Sequence, residues 1–250
     1  MNRKQLEKIK NHTIIVSIII VLILILSMIC VCAIGASEIE FITVVRILQQ
    51  KLFGVVNDTV KQADCYIVWD LRIPRALAAI VIGGGLAVAG VAMQAVTKNV
   101  MADPYVLGIS SGALAFVSVG TYFGGMAITT GWKTSVMAFL GAVFAVVMVF
   151  AIGGIRGNVS SGKLILTGQA ISISLNAVAQ YFIYTSTTSN KSSSIVTWMM
   201  GSLAGVRWDN LLLPVMGIVI CTCFLMRYAR AFDLMALGDE TAISLGIDVA

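Results

Sequence analysis

The sequence predicts an all-α, polytopic transmembrane bundle, and three observations lead there. Of 250 residues, 58% are apolar and only 12% charged, where a soluble domain carries about 25% charge. Apolar runs of about 20 residues, enough to cross roughly 30 Å of hydrocarbon, recur six times. The runs are continuous rather than alternating over ten residues, which makes them helices and not barrel strands.

The first run, near 14–36, follows Arg3, Lys4, Lys8 and Lys10. It is longer than the about 7–15 residues of a signal-peptide core, so it reads as a retained span with a cytoplasmic leader over 1–13. The positive-inside rule puts that leader in the cytoplasm, and six spans return the chain there. Segment 37–73 is then outside. In it Phe41, Val44, Val45, Leu48 and Leu52 recur at helical spacing, predicting an amphipathic helix on the outer surface with that set on its apolar face.

The second span, near 74–96, opens with Pro74, where a missing N–H costs nothing, and spaces Ala79, Gly83 and Ala87 four residues apart. Gly108 and Gly112 start a similar stripe in the third span, near 104–123, so these two spans are expected to belong to a compact bundle. The fourth lies near 134–155. The fifth, near 164–186, aligns Gln169, Ser172, Asn176 and Gln180 on one helical face. Such a stripe serves either interhelical hydrogen bonds or a water-accessible path, and periodicity does not choose between them. After the sixth span, near 210–228, Asp239 can cap a short inner helix that Gly246 ends. Trp69, Trp132, Trp198 and Trp208, all the tryptophans present, fall at expected outer edges.

Composition also excludes functions. The net charge of +5 is dispersed among the spans, which speaks for membrane topology and against nucleic-acid binding. One histidine and no clustered Cys, Asp or Glu leave no protein-built metal site, and no cofactor is expected. Cys30 and Cys32 point to nearly opposite sides of one helix. GNVSSGKL at 157–164 approaches the phosphate-binding loop, but Leu164 stands where a hydroxyl must hold Mg²⁺, and no strand precedes it. With no catalytic constellation and no carboxylate within the spans, the chain is not an enzyme and not a proton relay. An ion-coupled secondary transporter would need such a carboxylate or broken helices, and a structural anchor would need no motor at all.

RIPRALAAIVIGGGLAVAGVAMQAVTKNVMADPYVLGISSGA, from Arg72 to Ala113, closely resembles the FecCD-type permeases of ABC importers. SSGKLILTGQAIS at 160–172, WMMGSLAG at 198–205 and LMALGDETAISLGI at 234–247 follow in the same order. The resemblance implies a type II ABC importer permease with about six of about ten spans present, hence a chain truncated at its C-terminal end. It implies a multi-pass protein of the bacterial cytoplasmic membrane carrying ferric siderophores, with haem or cobalamin as alternatives. The implied partners are ABC ATPase subunits, a second permease subunit, an extracytoplasmic substrate-binding protein and membrane lipid.

The resemblance also assigns residues. Arg72 and Arg75, from the Arg-x-Pro-Arg motif, would dock the binding protein. Asn99 and Met101, in a loop where the family has Asn-Pro-Leu-Ala-Asp-Pro, would form the cytoplasmic gate with Ser160 and Ser161. Val100 replaces a proline there, which frees φ and predicts a more mobile loop. Gln169, Asn176 and Gln180 would face the translocation path, together with a short outer helix around Trp198 to Leu203. Leu237, Gly238, Asp239, Ala242, Leu245 and Gly246 would couple to the ATPase within an inner segment, 229–250, that is expected to be incomplete. The permease domain is then 14–228.

Overall fold

The computed structural model describes residues 3–35, 37–54, 60–124, 132–153, 161–186, 189–236, 238 and 244, and their regular structure is entirely helical. Helices stand at all six expected spans. Four are by length and apolarity sufficient to cross a membrane: Lys10–Ala33, Gln62–Thr97, Trp132–Gly153 and Trp208–Arg227. The other two depart for physical reasons. Asp103 caps a 3₁₀ turn over Pro104–Leu107, and Gly108 follows in the left-handed region (φ +74°), so the third span becomes α-helical only at Ile109 and stays short. The fifth is a 25-residue helix whose hydropathy is lowered by Gln169, Asn176 and Gln180.

The chain divides into two compact units, Met1–Val81 with Val206–Val215, and Ile82–Gly205 with Met216–Ala250. In the first, α1 (Arg3–Ala33) begins within the basic leader, and none of its most apolar stretch is buried. A helix apolar all round and without protein cover is one that meets lipid. Its last turn joins a core of Cys32, Ile39, Val44, Ile47, Val68 and Ile73. Cys30 is exposed and Cys32 buried, as their spacing predicts.

The amphipathic helix is present as α2 (Phe41–Phe53), ended by Gly54 in the left-handed region (φ +72°). Its buried face is not the expected one. Val44 and Ile47 are buried, whereas Phe41 and Leu52 are exposed. Burial is rotated by roughly a quarter-turn, because α2 packs against both the end of α1 and the segment before α4.

Pro74 also lies elsewhere than expected. The helix does not start there but runs without a break from α3 (Gln62–Cys65) through a π-helical segment, Tyr66–Arg72, into α4 (Ile73–Thr97). Proline inside an α-helix leaves a carbonyl without its donor and crowds it. The π spacing accommodates this by shifting partners one residue further back, as where Ile73 N–H bonds the Val68 carbonyl.

In the second unit, α5 (Ile109–Gly124) packs against α6 (Trp132–Gly153) and α7 (Ser161–Thr185). Gly112 and Gly141 face each other so closely that a Cβ on either would strike the other's carbonyl oxygen. Phe116 and Phe144 stack beside them, with ring centroids 5.3 Å apart. Val149, Leu164 and Ile171 close the α6–α7 side. The small-residue stripe of α4 is not used in the expected way: Ala79, Gly83 and Ala87 are exposed, and a Cβ on Gly83 would meet nothing within 4 Å. Gly85 instead admits Ile218 of α9 (Trp208–Arg227), whose Cγ2 lies 2.8 Å from where a Cβ would be.

Candidate functional site

The loop after α4 is built by the way that helix ends. Lys98 adopts φ +50°, Lys98 N–H bonds the Ala95 carbonyl and Asn99 N–H bonds the Gln94 carbonyl. These two bonds form a Schellman stop with lysine at the position glycine usually takes. Asn99 Oδ1 then accepts from Met101 N–H at 2.9 Å, and Gln94 Nε2 donates to the Val100 carbonyl at 3.1 Å. Asp103 Oδ1 accepts from Tyr105 and Val106 N–H at 2.7 and 3.2 Å. The loop without its proline is thus bridged by side-chain bonds from Gln94, Asn99 and Asp103. Ala102 is buried while Val100 and Met101 are 84% and 85% exposed. Two apolar side chains stand at the loop tip, held from below.

On α7 the polar stripe separates into two halves. Asn176 Nδ2 donates to Ser111 Oγ at 3.0 Å, tying α7 to the first turn of α5. Ser172 abuts Gly108, its Oγ 2.9 Å from where a Cβ would point. Gln169 and Gln180 are exposed on the outer side of the same stripe. The interhelical hydrogen bond is thus made by Asn176, and the two glutamines make no contact of that kind with α5 among the described residues. Ser111 as the partner of Asn176 was not anticipated, although it lies within the stretch that carries the family resemblance. A groove between α6 and α7, lined by Ile152, Leu166, Ala170 and Ser174 among others, is mostly apolar, and the Ser174 hydroxyl bonds its own helix at Ala170.

Beside this stripe runs α8 (Ser189–Met199). Ile195, 1% exposed, packs with Ala179, Leu114 and Ala115, and Leu175 and Trp198 join the same cluster. Ala179 precedes the end of α7 by six residues, about 9 Å along the helix, so α8 turns back along α7 instead of leaving it. Ser192 Oγ fastens the return by donating to the Ile183 carbonyl at 2.7 Å. Trp198 thereby sits half-buried against this cluster. At Gly201 (φ +76°) the helix has ended, and Met199, Met200, Gly201 and Ser202 are exposed.

Of the two arginines expected to dock a partner, Arg72 is turned inward. It is 9% exposed; Nη1 donates to the Cys32 and Ala33 carbonyls at 2.8 and 2.9 Å, and Nη2 to the Ser37 carbonyl at 2.6 Å. The last carbonyls of a helix lack partners and carry its negative dipole end, so Arg72 caps α1 and clasps the turn that follows it. Arg75 is half-buried. An exposed cluster unseen in the sequence lies in the same unit: Arg207 Nη1 donates to Tyr66 Oη at 2.8 Å, Trp208 Nε1 donates to the Trp69 carbonyl, and the two tryptophan rings lie 5.5 Å apart.

After α9, α10 (Ala229–Ala236) is followed by Gly238 at φ +107°, a conformation that only glycine adopts readily. Leu237, Asp239, Ala242, Leu245, Gly246 and Ser160 lie outside the described residues; Ser161 opens the backbone of α7. Among the described residues no group of three His, Cys, Asp or Glu side chains could hold a metal.

The sequence profile of the FecCD transport family matches residues 18–250. The chain belongs to that family. It is 31% identical over 180 residues to the vitamin B12 import system permease protein BtuC of Klebsiella pneumoniae, covering 72% of this chain and 53% of that protein. To the molybdate import system permease protein MolB of Haemophilus influenzae it is 30% identical over 217 residues, 87% of this chain and 62% of the relative. The FecCD chain thus spans about half to three-fifths of the length of these relatives. A solved metal-chelate type ABC transporter in an inward-facing conformation shares the fold, with a TM-score of 0.74 at 24% identity over 92% of this chain and 67% of its own.

Proposed function

We propose that this FecCD chain forms part of the membrane permease of an ATP-driven importer, with ATP hydrolysis supplied by partner subunits and cargo delivered by an external binding protein. The observation that carries the reading is the return of α8 along α7. Backbone that leaves a helix at membrane depth is tolerated only where protein covers it or water reaches it. Residues 199–202 are uncovered, and so are Gln169 and Gln180 on the helix that α8 returns along. A water-filled path along this side of α7 accounts for both features, and the bond between Asn176 and Ser111 holds the wall of that path in place.

Within this reading the Val100–Met101 tip, with Asn99, Ser160 and Ser161, closes the path on the cytoplasmic side. The segment holding Leu237, Gly238, Asp239, Ala242, Leu245 and Gly246 couples it to the ATPase. Arg75 remains the docking residue for the binding protein, and Arg72 supports it by fixing the neighbouring end of α1. A second permease subunit completes the path, in the bacterial cytoplasmic membrane. Relatives named for vitamin B12 and molybdate, and a structural neighbour named for metal chelates, favour a metal-bearing cargo. Ferric siderophores fit that class, as do cobalamin and haem.

The test is uptake by membrane vesicles carrying the complete transporter, offered each of these cargoes in turn. Uptake of one of them that stops when ATP is depleted, and continues when ion gradients are dissipated, is the expected result. Uptake that persists without ATP while gradients are intact overturns the proposal.

A further inference from the structure

Helix α2 carries a second apolar face that the core of its unit does not use. At about 100° per residue, Phe41, Ile42, Val45, Leu52 and Phe53 fall within roughly 120° of arc, with Gln49 as the one polar residue among them. Phe41, Ile42, Leu52 and Phe53 are 53%, 57%, 64% and 78% exposed. Val44 and Ile47, on the other side, are wholly buried. The helix is therefore sandwiched, with protein against one face and an unknown medium against the other.

The level at which α2 sits identifies that medium. Its buried face rests on Met28, Cys32 and Ala33, the last turns of α1, where the apolar run of that helix gives way to polar sequence. Along its preceding turns α1 presents Leu22, Ile23 and Leu26, each 59–60% exposed, so the surface immediately next to α2 is already lipid-facing. Trp69 packs in the same core and receives Lys51 Nζ, from the last turn of α2, at 5.9 Å from its ring centroid. Tryptophan with a nearby lysine is the pairing that marks a headgroup layer. Four large apolar side chains turned to water at that level would be an unusually large bare patch. Laid at the boundary between headgroups and acyl chains they are solvated by lipid.

We propose that the Phe41, Ile42, Leu52 and Phe53 face of α2 seats in the phospholipid leaflet at the C-terminal end of α1, as an interfacial anchor continuous with the lipid-facing surface of that helix. The anchor stands on α1, α2 and the neighbouring Trp69 and does not depend on the importer reading. Its consequence is that the turn held by Arg72 lies between two lipid-seated elements, so the outer end of α4 is fixed in depth.

Photocrosslinking of the full chain in its own membrane tests this. Phe41→p-benzoylphenylalanine and Phe53→p-benzoylphenylalanine are irradiated in isolated membranes, with Leu22→p-benzoylphenylalanine as the positive control for lipid contact, and adducts are read by intact-protein mass. Phospholipid adducts at Phe41 and Phe53, in a yield within about threefold of the Leu22 control, are expected. Adducts to a second copy of the chain or to a binding protein overturn the proposal. So does a lipid adduct at Leu22 with none at either phenylalanine. None of these readouts requires transport, so the outcome is independent of whether ATP-driven uptake is found.

Discussion

Gly112 on α5 and Gly141 on α6 are in mutual contact through their backbones, each occupying the space that a Cβ on the other would need. Glycine here is a packing residue rather than a turn residue, since both lie inside helices. Replacing Gly112 by leucine forces the helices apart, an overpacking cost of about 1–3 kcal/mol or more. Thermal unfolding of the detergent-solubilised protein should shift down for Gly112→Leu and Gly141→Leu. Gly83→Ala, with open space around it, should stay within about 0.5 kcal/mol of the parent.

Arg72 is expected to act through stability first. Arg72→Ala leaves two carbonyls at the end of α1 and that of Ser37 beyond it without this donor, and leaving a buried group unsatisfied costs about 1–3 kcal/mol. Lysine cannot reproduce the two-pronged donation, so Arg72→Lys should recover only part of the loss. The same unfolding measurement decides, with Arg207→Ala as an exposed comparison. An unfolding temperature for Arg72→Ala equal to the parent's would mean the clasp contributes nothing.

The two halves of the α7 stripe should separate in function. Asn176→Ala and Ser111→Ala should be coupled by about 0.6 kcal/mol in a double-mutant cycle, as interhelical hydrogen bonds in membranes are. Gln169→Ala and Gln180→Ala should leave stability unchanged and lower uptake. Uptake unaffected by both glutamine changes would remove the path from this face.

Asp103 should control the order of the inner loop. Asp103→Ala loses a cap worth about 0.5–2 kcal/mol, whereas Asp103→Asn keeps an acceptor. Hydrogen exchange of the Tyr105 and Val106 amides, the two that the carboxylate holds, should accelerate in the alanine variant and change little in the asparagine variant.

Docking is expected to fall to Arg75. Arg75→Glu should weaken association with the binding protein, and more at low ionic strength, where screening is least. Affinity independent of salt in this variant would place the docking charge elsewhere, with exposed Arg207 the next residue to reverse.

Much of the fold was legible because a spanning helix writes itself in about 20 consecutive apolar residues, and α1, α6 and α9 follow that rule directly. What failed were inferences about which side a helix turns. The Phe41–Leu52 pattern allows two burial faces, and the choice of Val44 and Ile47 depends on where α1 and the π-helical segment stand, which no local periodicity encodes. Pro74 was placed at a helix start because the sequence carries no sign of π spacing. The motif that assigns Arg72 a docking role says nothing of its contacts, and the carbonyls at the end of α1 that it binds come from a helix some forty residues away in sequence. On α7 the periodicity found the polar face correctly, but only the approach of α5 at Ser111 divides it between packing and solvent.

The π-helical segment before α4 has one more consequence. Because it holds more residues per turn than an α-helix, it stores slack in the chain length. Deleting one residue between Tyr66 and Arg72 would use up that slack, letting the stretch close to α-helical spacing with the helix on either side near its present phase. Tyr66 would then stay on the side that faces Arg207, but the carbonyl that the π spacing spares would be crowded by Pro74. The segment acts as a length buffer: it lets the helix carry a proline in mid-course without turning its outer end away from Arg207 and Trp208.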